Sequence, residues 1–361
     1  MPTSGSMDTD HTHHDEGPRM AADPTAEFLI RAARSCHDQA DDLYALTRTV
    51  LNDAAPPRSP ADGDHRTLLT SVRSDDRQQL WHRIGIAQIN LIVHTTDHLR
   101  TLGTVLAEPR ARVPVYAHAA LARAAVESSA MLLHLLATGS SFPTRLARGV
   151  ALLLTDADEA VRAAKNVEGN AYMASPAPAV TKARTDLIAV VERARITRVP
   201  NGNRSNPPRE SDPDRDGFKA VRIMPDGIEE PAGAKISVLI RDHFADLPGI
   251  YPLLSGVVHG LPWGLGGSMT VHGRDMTWEP DPIAIGGHVL AAVTAASRTG
   301  AAFAAYRGVH DPVVTRLADR AVRADRALAA FGKATRVLAG AKISVEGLVQ
   351  RSDAARRRAT S

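Results

Sequence analysis

The sequence holds a single cysteine, Cys36, so no disulfide can form within the chain. That usage fits a reducing cytoplasm. Aromatic residues supply only 4% of the 361 positions. A core must then be built from Ala, Leu, Val and Ile, which suits close-packed helices better than sheets. Lysine is scarce too, at six of the 43 basic residues. The pI near 9.2 therefore rests on arginine. A net charge of +3 is too small to argue for nucleic acid. Long apolar runs are also missing. The stretch 247–273 is interrupted by Gly and Pro and 282–297 is too short, so neither reads as a membrane span. Residues 1–24 are polar and acidic, and no signal peptide is expected there.

What remains is 43% hydrophobic residues in a helical rhythm. The expected fold is all-α: a large helical bundle with a small β-hairpin excursion and a disordered N-terminal tail over 1–24. Helical spacing runs from Thr25 to about Asp53, from Ser74 to about Ala107, and from Val115 to about Ala137. Two more helices follow near 144–166 and 178–197, which closes a first helical half, 25–197. The stretch 198–232 is rich in Pro, Asn, Asp and Arg and reads as a polar loop or insert. Within it, "FKAVRIMP" (218–225) has the composition of a short strand. A second half, 233–340, packs on the first. It carries a hairpin signal around His272-Gly273 and long helices near 282–308 and 312–338, whose apolar faces offer a surface for a homo-oligomer. Residues 341–361 read as a basic C-terminal tail.

Polar residues on three of these helices are sparse and spaced by turns. Between Val113 and Thr144 the only charges are Arg123 and Glu127, four apart on one face. His134 continues that face two turns on. In "NLIVHTTDHL" the residues Asn90, His94, Asp97 and His98 recur at helical spacing. In "YPLLSGVVHG" the residues Tyr251, Ser255 and His259 form one slanted stripe, with Gly260 and Pro262 ending the helix just beyond. Three such stripes on apolar helices predict one buried polar cluster, with Arg145 and Arg148 at its rim. Burial predicts that loss of Arg123 strands Glu127, at about 3 kcal/mol or more.

Three stretches, "TDHLRTLGTVL", "ARAAVESSAMLLHLL" and "YPLLSGVVHG", resemble an actinobacterial all-helical family of unknown function with DHL, R-x-x-x-E and Y-x-x-x-S-x-x-x-H motifs. On that resemblance Asp97, His98, Arg123, Glu127, Tyr251, Ser255 and His259 are the family's polar positions. The family is distantly similar in layout to HEPN bundles, and the likeness implies a fold rather than an activity. HEPN ribonucleases place a polar residue after their Arg. Arg31 and His37 have the spacing, but Ala32 follows the Arg.

Three functions fit these residues. In a structural or interaction protein the cluster sets helix register. In a hydrolase acting on RNA or another phosphodiester, His259 is the acid or base, Arg123 holds an anion, and Tyr251 or Ser255 donates hydrogen bonds. In a DinB-like bundle a divalent metal sits on His94, His98 and His259. Access separates them, because a catalytic cluster needs an open cleft. "WGLGGS" (263–268) lacks the strand and helix of a nucleotide-binding loop. Cys36 reads as a small buried side chain.

Overall fold

The computed structural model describes residues 23–107, 113–167, 176–200, 218–265, 268–272 and 275–359; of 270–272 and 336–359 only the backbone is described. The expected N-terminal tail lies outside these residues up to position 22.

Helix starts are written plainly in the sequence. Four helices open on an acidic or hydroxyl residue followed by proline: Asp23-Pro24, Ser59-Pro60, Asp281-Pro282 and Asp311-Pro312. Each first side chain caps a free N–H, as when Asp23 Oδ1 accepts from Thr25 N at 2.9 Å and Asp311 Oδ1 from Val313 N at 2.7 Å. Proline then fills the first turn, where its missing N–H costs nothing. These signals open α1 (Pro24–Asn52), α2 (Pro60–Thr70), α10 (Pro282–Arg307) and α11 (Pro312–Ala359). Between them lie α3 (Ser74–Ala107), α4 (Ala117–Leu135), α5 (Phe142–Asn166), α6 (Ala177–Arg193), α7 (Ile236–His243), α8 (Ile250–Val258) and α9 (Pro262–Leu265).

The bundle is all-α with a small β component, as its composition implies. Helix α10 is its axis, packed by α1, α3, α4 and α11. Its buried face is largely alanine, including Ala291, Ala292, Ala295 and Ala296 at 0% exposure, so neighbouring backbones come close without aromatics. One core joins α1, α3, α4, α10 and the start of α11. A second joins the first turns of α3 to α5, α6 and a sheet, through Leu80, Ile84, Leu146, Val150, Val191 and Val221. Trp81 touches both and meets Phe142 edge-on at 5.2 Å. Among the described residues no helix is long and apolar enough to cross a membrane.

Two expectations need correction. The stretch 198–232 is not merely a loop: β1 (Ile196–Pro200), β2 (Phe218–Ile223) and β3 (Ile228–Pro231) form an antiparallel sheet in the order β1-β2-β3. Alternation puts Val221 and Ile223 on one buried face of β2 and Arg222, exposed, on the other. Helix α10, from the stretch 233–340, packs on α1, α3 and α4 of the stretch 25–197. The expected oligomer surface near 282–338 narrows, because most apolar residues of α10 are covered within one chain while α11 keeps an outer face over 312–335. Helix α11 runs on through 341–359, into the basic C-terminal stretch.

The deepest charge pair joins elements far apart in sequence. Arg145 on α5 donates from Nε to Asp64 Oδ2 at 2.8 Å and from Nη2 to Asp64 Oδ1 at 2.5 Å, with side chains 7% and 3% exposed. Tyr306 on α10 donates its hydroxyl to Asp64 Oδ2 at 3.1 Å. Burial, together with the adjacent Asp64 charge, raises the Tyr306 pKa. Removing one member of such a pair leaves a charge in the dry interior. Arg145→Ala is expected to cost about 3–5 kcal/mol in chemical denaturation. A loss below about 1 kcal/mol, the level of a surface pair, would contradict this placement.

Candidate functional site

The three polar stripes do approach one another, at the edge of the bundle rather than inside it. Arg123 on α4 donates from Nε to Glu127 Oε1 at 2.6 Å. Its Nη1 lies 3.2 Å from His259 Nε2, and its guanidinium stacks 5.5 Å from the Tyr251 ring centre. Arg123 therefore ties α4 to α8 through both ends of the Tyr251–His259 stripe. The stripe exists because Gly249 starts α8 with φ 78°, a left-handed turn that other residues avoid. His259 is the C-cap, as the following glycine implies.

The burial expected for this cluster is overturned. The Arg123 and Glu127 side chains are 17% and 30% exposed, and His259 is exposed. Ser255, between Tyr251 and His259, makes no side-chain hydrogen bond among the described residues. The 410 Å³ hollow between α7 and α8 reaches the group through Tyr251; Arg123, Glu127 and His259 are not among its walls.

The α3 stripe meets the group at one point. His94 Nδ1 lies 2.7 Å from Ser128 Oγ, beside Glu127. Partial burial lowers the His94 pKa, the neighbouring His98 adds to this, and Asp97 and Glu127 oppose it. His98 donates from Nδ1 to the His94 carbonyl at 2.9 Å, and the two rings sit 4.1 Å apart. Asn90 and Asp97 are exposed. A metal on His94, His98 and His259 is not supported: His259 Nε2 faces the Arg123 cation, which repels a second positive charge. Among the described residues no three His, Cys, Asp or Glu side chains gather as metal ligands.

Arg145 and Arg148 do not reach the rim. Arg145 is engaged by Asp64, and Arg148 donates from Nη1 to the His134 carbonyl at 3.0 Å and to Ser140 Oγ at 3.1 Å. His134 is pushed down to about 4, chiefly by burial and then by Arg148. His37 turns inward against Gly103 while Arg31 pairs with Glu27 outside, so these two share no site. Cys36 is fully buried, and burial raises its thiol pKa to about 12, which leaves it protonated and unreactive.

Sequence spacing missed one buried pair. His118, on α4, and His288, on α10, meet Nδ1 to Nδ1 at 2.7 Å. Because His118 Nε2–H donates to the Val115 carbonyl at 2.8 Å, its Nδ1 is the acceptor, and His288 Nδ1–H donates. Both rings are neutral in that arrangement. Burial, then the His118 ring, takes His288 down to about 3; burial also lowers His118. Only a signal of distance along the chain, 170 residues, would have revealed the contact.

The arrangement generates two expectations. Arg123→Ala loses contacts to Glu127, His259 and Tyr251 at a half-exposed rim, so the cost falls to about 1–2 kcal/mol, and Arg123→Lys restores little because a point charge cannot reach all three. A melting temperature unchanged by Arg123→Ala would show that the cluster holds nothing. The histidines set an acid limit. A base whose folded pKa is depressed binds its proton more readily when unfolded, so stability is full above about pH 6.5 and falls toward pH 3, by up to about 1.4 kcal/mol per pH unit and group. Unfolding free energies that stay level between about pH 7 and 4.5 would contradict buried neutral imidazoles. No family model, curated protein or solved structure matches this chain.

Proposed function

We propose that the protein is a non-enzymatic interaction scaffold that pairs with a second copy of itself through α8, α9 and the hairpin of β4 (Met269–His272) and β5 (Asp275–Trp278). The supporting observation is a run of large apolar side chains left exposed over residues 253–278. Leu253, Leu261, Trp263, Met269, Met276 and Trp278 are 40–57% exposed within 26 residues, and they include two of the three tryptophans in the chain. Exposed apolar side chains rich in Trp and Met have the composition of an interface centre.

The hairpin register concentrates this surface. Met269 pairs with Trp278 across the ladder, and position 271 with Met276. Met269, Met276 and Trp278 therefore share one face, with Thr277 on the other. All four residues of β5 are exposed. A two-stranded hairpin is marginal in water unless its apolar face is covered. Trp263, on α9, adds a second exposed indole. Its ring lies over Gly256, where a side chain would meet it at 2.5 Å, and its other face is open.

A second copy suits the patch because the patch complements itself. A two-fold contact sets thioethers of one copy on indoles of the other, a favourable sulfur–aromatic pairing that both halves supply. Asp275, Glu279 and Asp281 flank it, which disfavours an anionic membrane surface. The Arg123–Glu127–His259–Tyr251 knot then acts as a staple holding α8 and its patch on α4. A hydrolytic role is supported less well. Arg123 is a permanent donor, so His259 Nε2 is its acceptor in this contact and not a free base.

Sedimentation velocity between about 1 and 100 μM tests the proposal. The expected species at the upper end has twice the 38.5 kDa chain mass. Met276→Lys with Trp278→Ser is expected to give a monomer of unchanged melting temperature. A wild-type monomer at the highest concentration, a variant that still dimerises, or a monomer that binds lipid vesicles would overturn the proposal.

A further inference from the structure

On another face, a groove of about 430 Å³ runs between α1 and α11, with α10 as its floor. The groove is possible because α10 carries Gly286 there. A side chain at that position would meet Leu328 at 2.5 Å and Phe28 at 2.8 Å. Phe28, stacked on Phe331 at 4.2 Å, closes one end together with Leu328 and gives it an apolar wall. Val289 continues the apolar floor.

The other walls are cationic. Arg31 and Arg34 project from α1, and Arg320, Arg323 and Arg326 from α11; Asp38 is the single acid in the lining. Two of these cations are already committed. Arg31 pairs with Glu27, and Arg320 donates from Nη1 to Gln39 Oε1 at 2.8 Å and from Nη2 to Asp42 Oδ2 at 2.9 Å. Arg34, Arg323 and Arg326 have no acidic partner among the described residues. All three are exposed, and guanidinium groups without acidic partners around one concavity leave their donors free for an incoming anion. Here two helices aim them over a shared hollow that has an apolar end.

We propose that this groove binds a small organic phosphate or diphosphate, its phosphoryl oxygens held by Arg34, Arg323 and Arg326 and its apolar body laid against Phe28, Val289 and Leu328. Guanidinium groups match phosphate oxygens in pairs of parallel hydrogen bonds, which an ammonium does not. The volume falls in the range of small-molecule sites, of about 300–1,000 Å³. A planar nucleoside and a branched aliphatic chain would each fill the apolar end; both carry the same head group.

Calorimetric titration of the full chain with inorganic pyrophosphate, ADP and geranyl diphosphate tests the site and separates the two bodies. At least one organic diphosphate is expected to bind about tenfold or more tightly than pyrophosphate, a gain of about 1.4 kcal/mol from the apolar contacts. Arg34→Ala with Arg323→Ala is expected to weaken that ligand by about tenfold or more at an unchanged melting temperature, since neither side chain has a partner to lose. Phe28→Ala is expected to weaken the organic ligand and leave pyrophosphate unaffected. No binding of any probe at about 1 mM would overturn the proposal. Equal binding of all three probes, which marks simple counter-ion attraction, would overturn it too. So would an arginine double variant that binds like the wild type.

Discussion

The ion pair of Asp64 and Arg145, capped by the Tyr306 hydroxyl, is the constraint on which the rest of the architecture hangs. Its three members come from α2, α5 and α10, and it lies where the two hydrophobic cores adjoin. Ala61 and Leu68, on the same short helix as Asp64, belong to different cores. Apolar contacts alone would let these layers slide, because alanine-rich surfaces have few features to interlock. A bidentate guanidinium–carboxylate pair accepts one geometry and penalises others by the cost of an unpaired buried charge. Gln39 does the same within the larger core. It donates from Nε2 to the Val293 and Leu317 carbonyls at 3.0 and 3.2 Å, and accepts from Arg320. Polar groups thus set register in a core that has too few aromatics to set it by shape.

This division explains where the sequence was readable. Helix limits were legible because they are local: Asp-Pro and Ser-Pro starts, glycine stops and a 3.6-residue rhythm act within one turn. Helix α2 carried the same Ser59-Pro60 signal but hid within a proline-rich stretch that resembles a break. The sheet of β1 to β3 was obscured by its charged outward residues, such as Arg222 and Glu229, which pair across the strands at 2.6 Å. The meeting of Arg123, Glu127, Tyr251 and His259 was legible from periodicity, since isolated polar residues at four-residue spacing must find partners. Their depth was not. Periodicity gives the face of a helix, and whether that face is covered depends on where the next helix lies. The same limit hid Asp64 with Arg145 and His118 with His288.

The polar knot, the apolar patch and the arginine groove occupy different parts of the bundle and follow one logic. Each sits where a short or late element joins the central helices. The knot fastens α8, whose few buried side chains could not hold it alone. Beyond that fastening, the chain spends tryptophan and methionine on water-facing positions while its interior is made of alanine and leucine. Two of the three tryptophans of this aromatic-poor chain, Trp263 on α9 and Trp278 on the hairpin, are more than half exposed. At the opposite extreme of polarity, α1 and α11 present unpaired arginines across a groove with an apolar end.

A double-mutant cycle on Asp64 and Arg145, read by chemical denaturation, tests the central claim most directly. If the buried pair sets the packing of the two cores, Asp64→Leu and Arg145→Met each destabilise strongly, and the double variant regains much of the loss because no charge is left stranded, giving a coupling of at least about 2 kcal/mol. Additive losses, with coupling within about 0.5 kcal/mol of zero, would mean that the two side chains act independently and that register is fixed elsewhere.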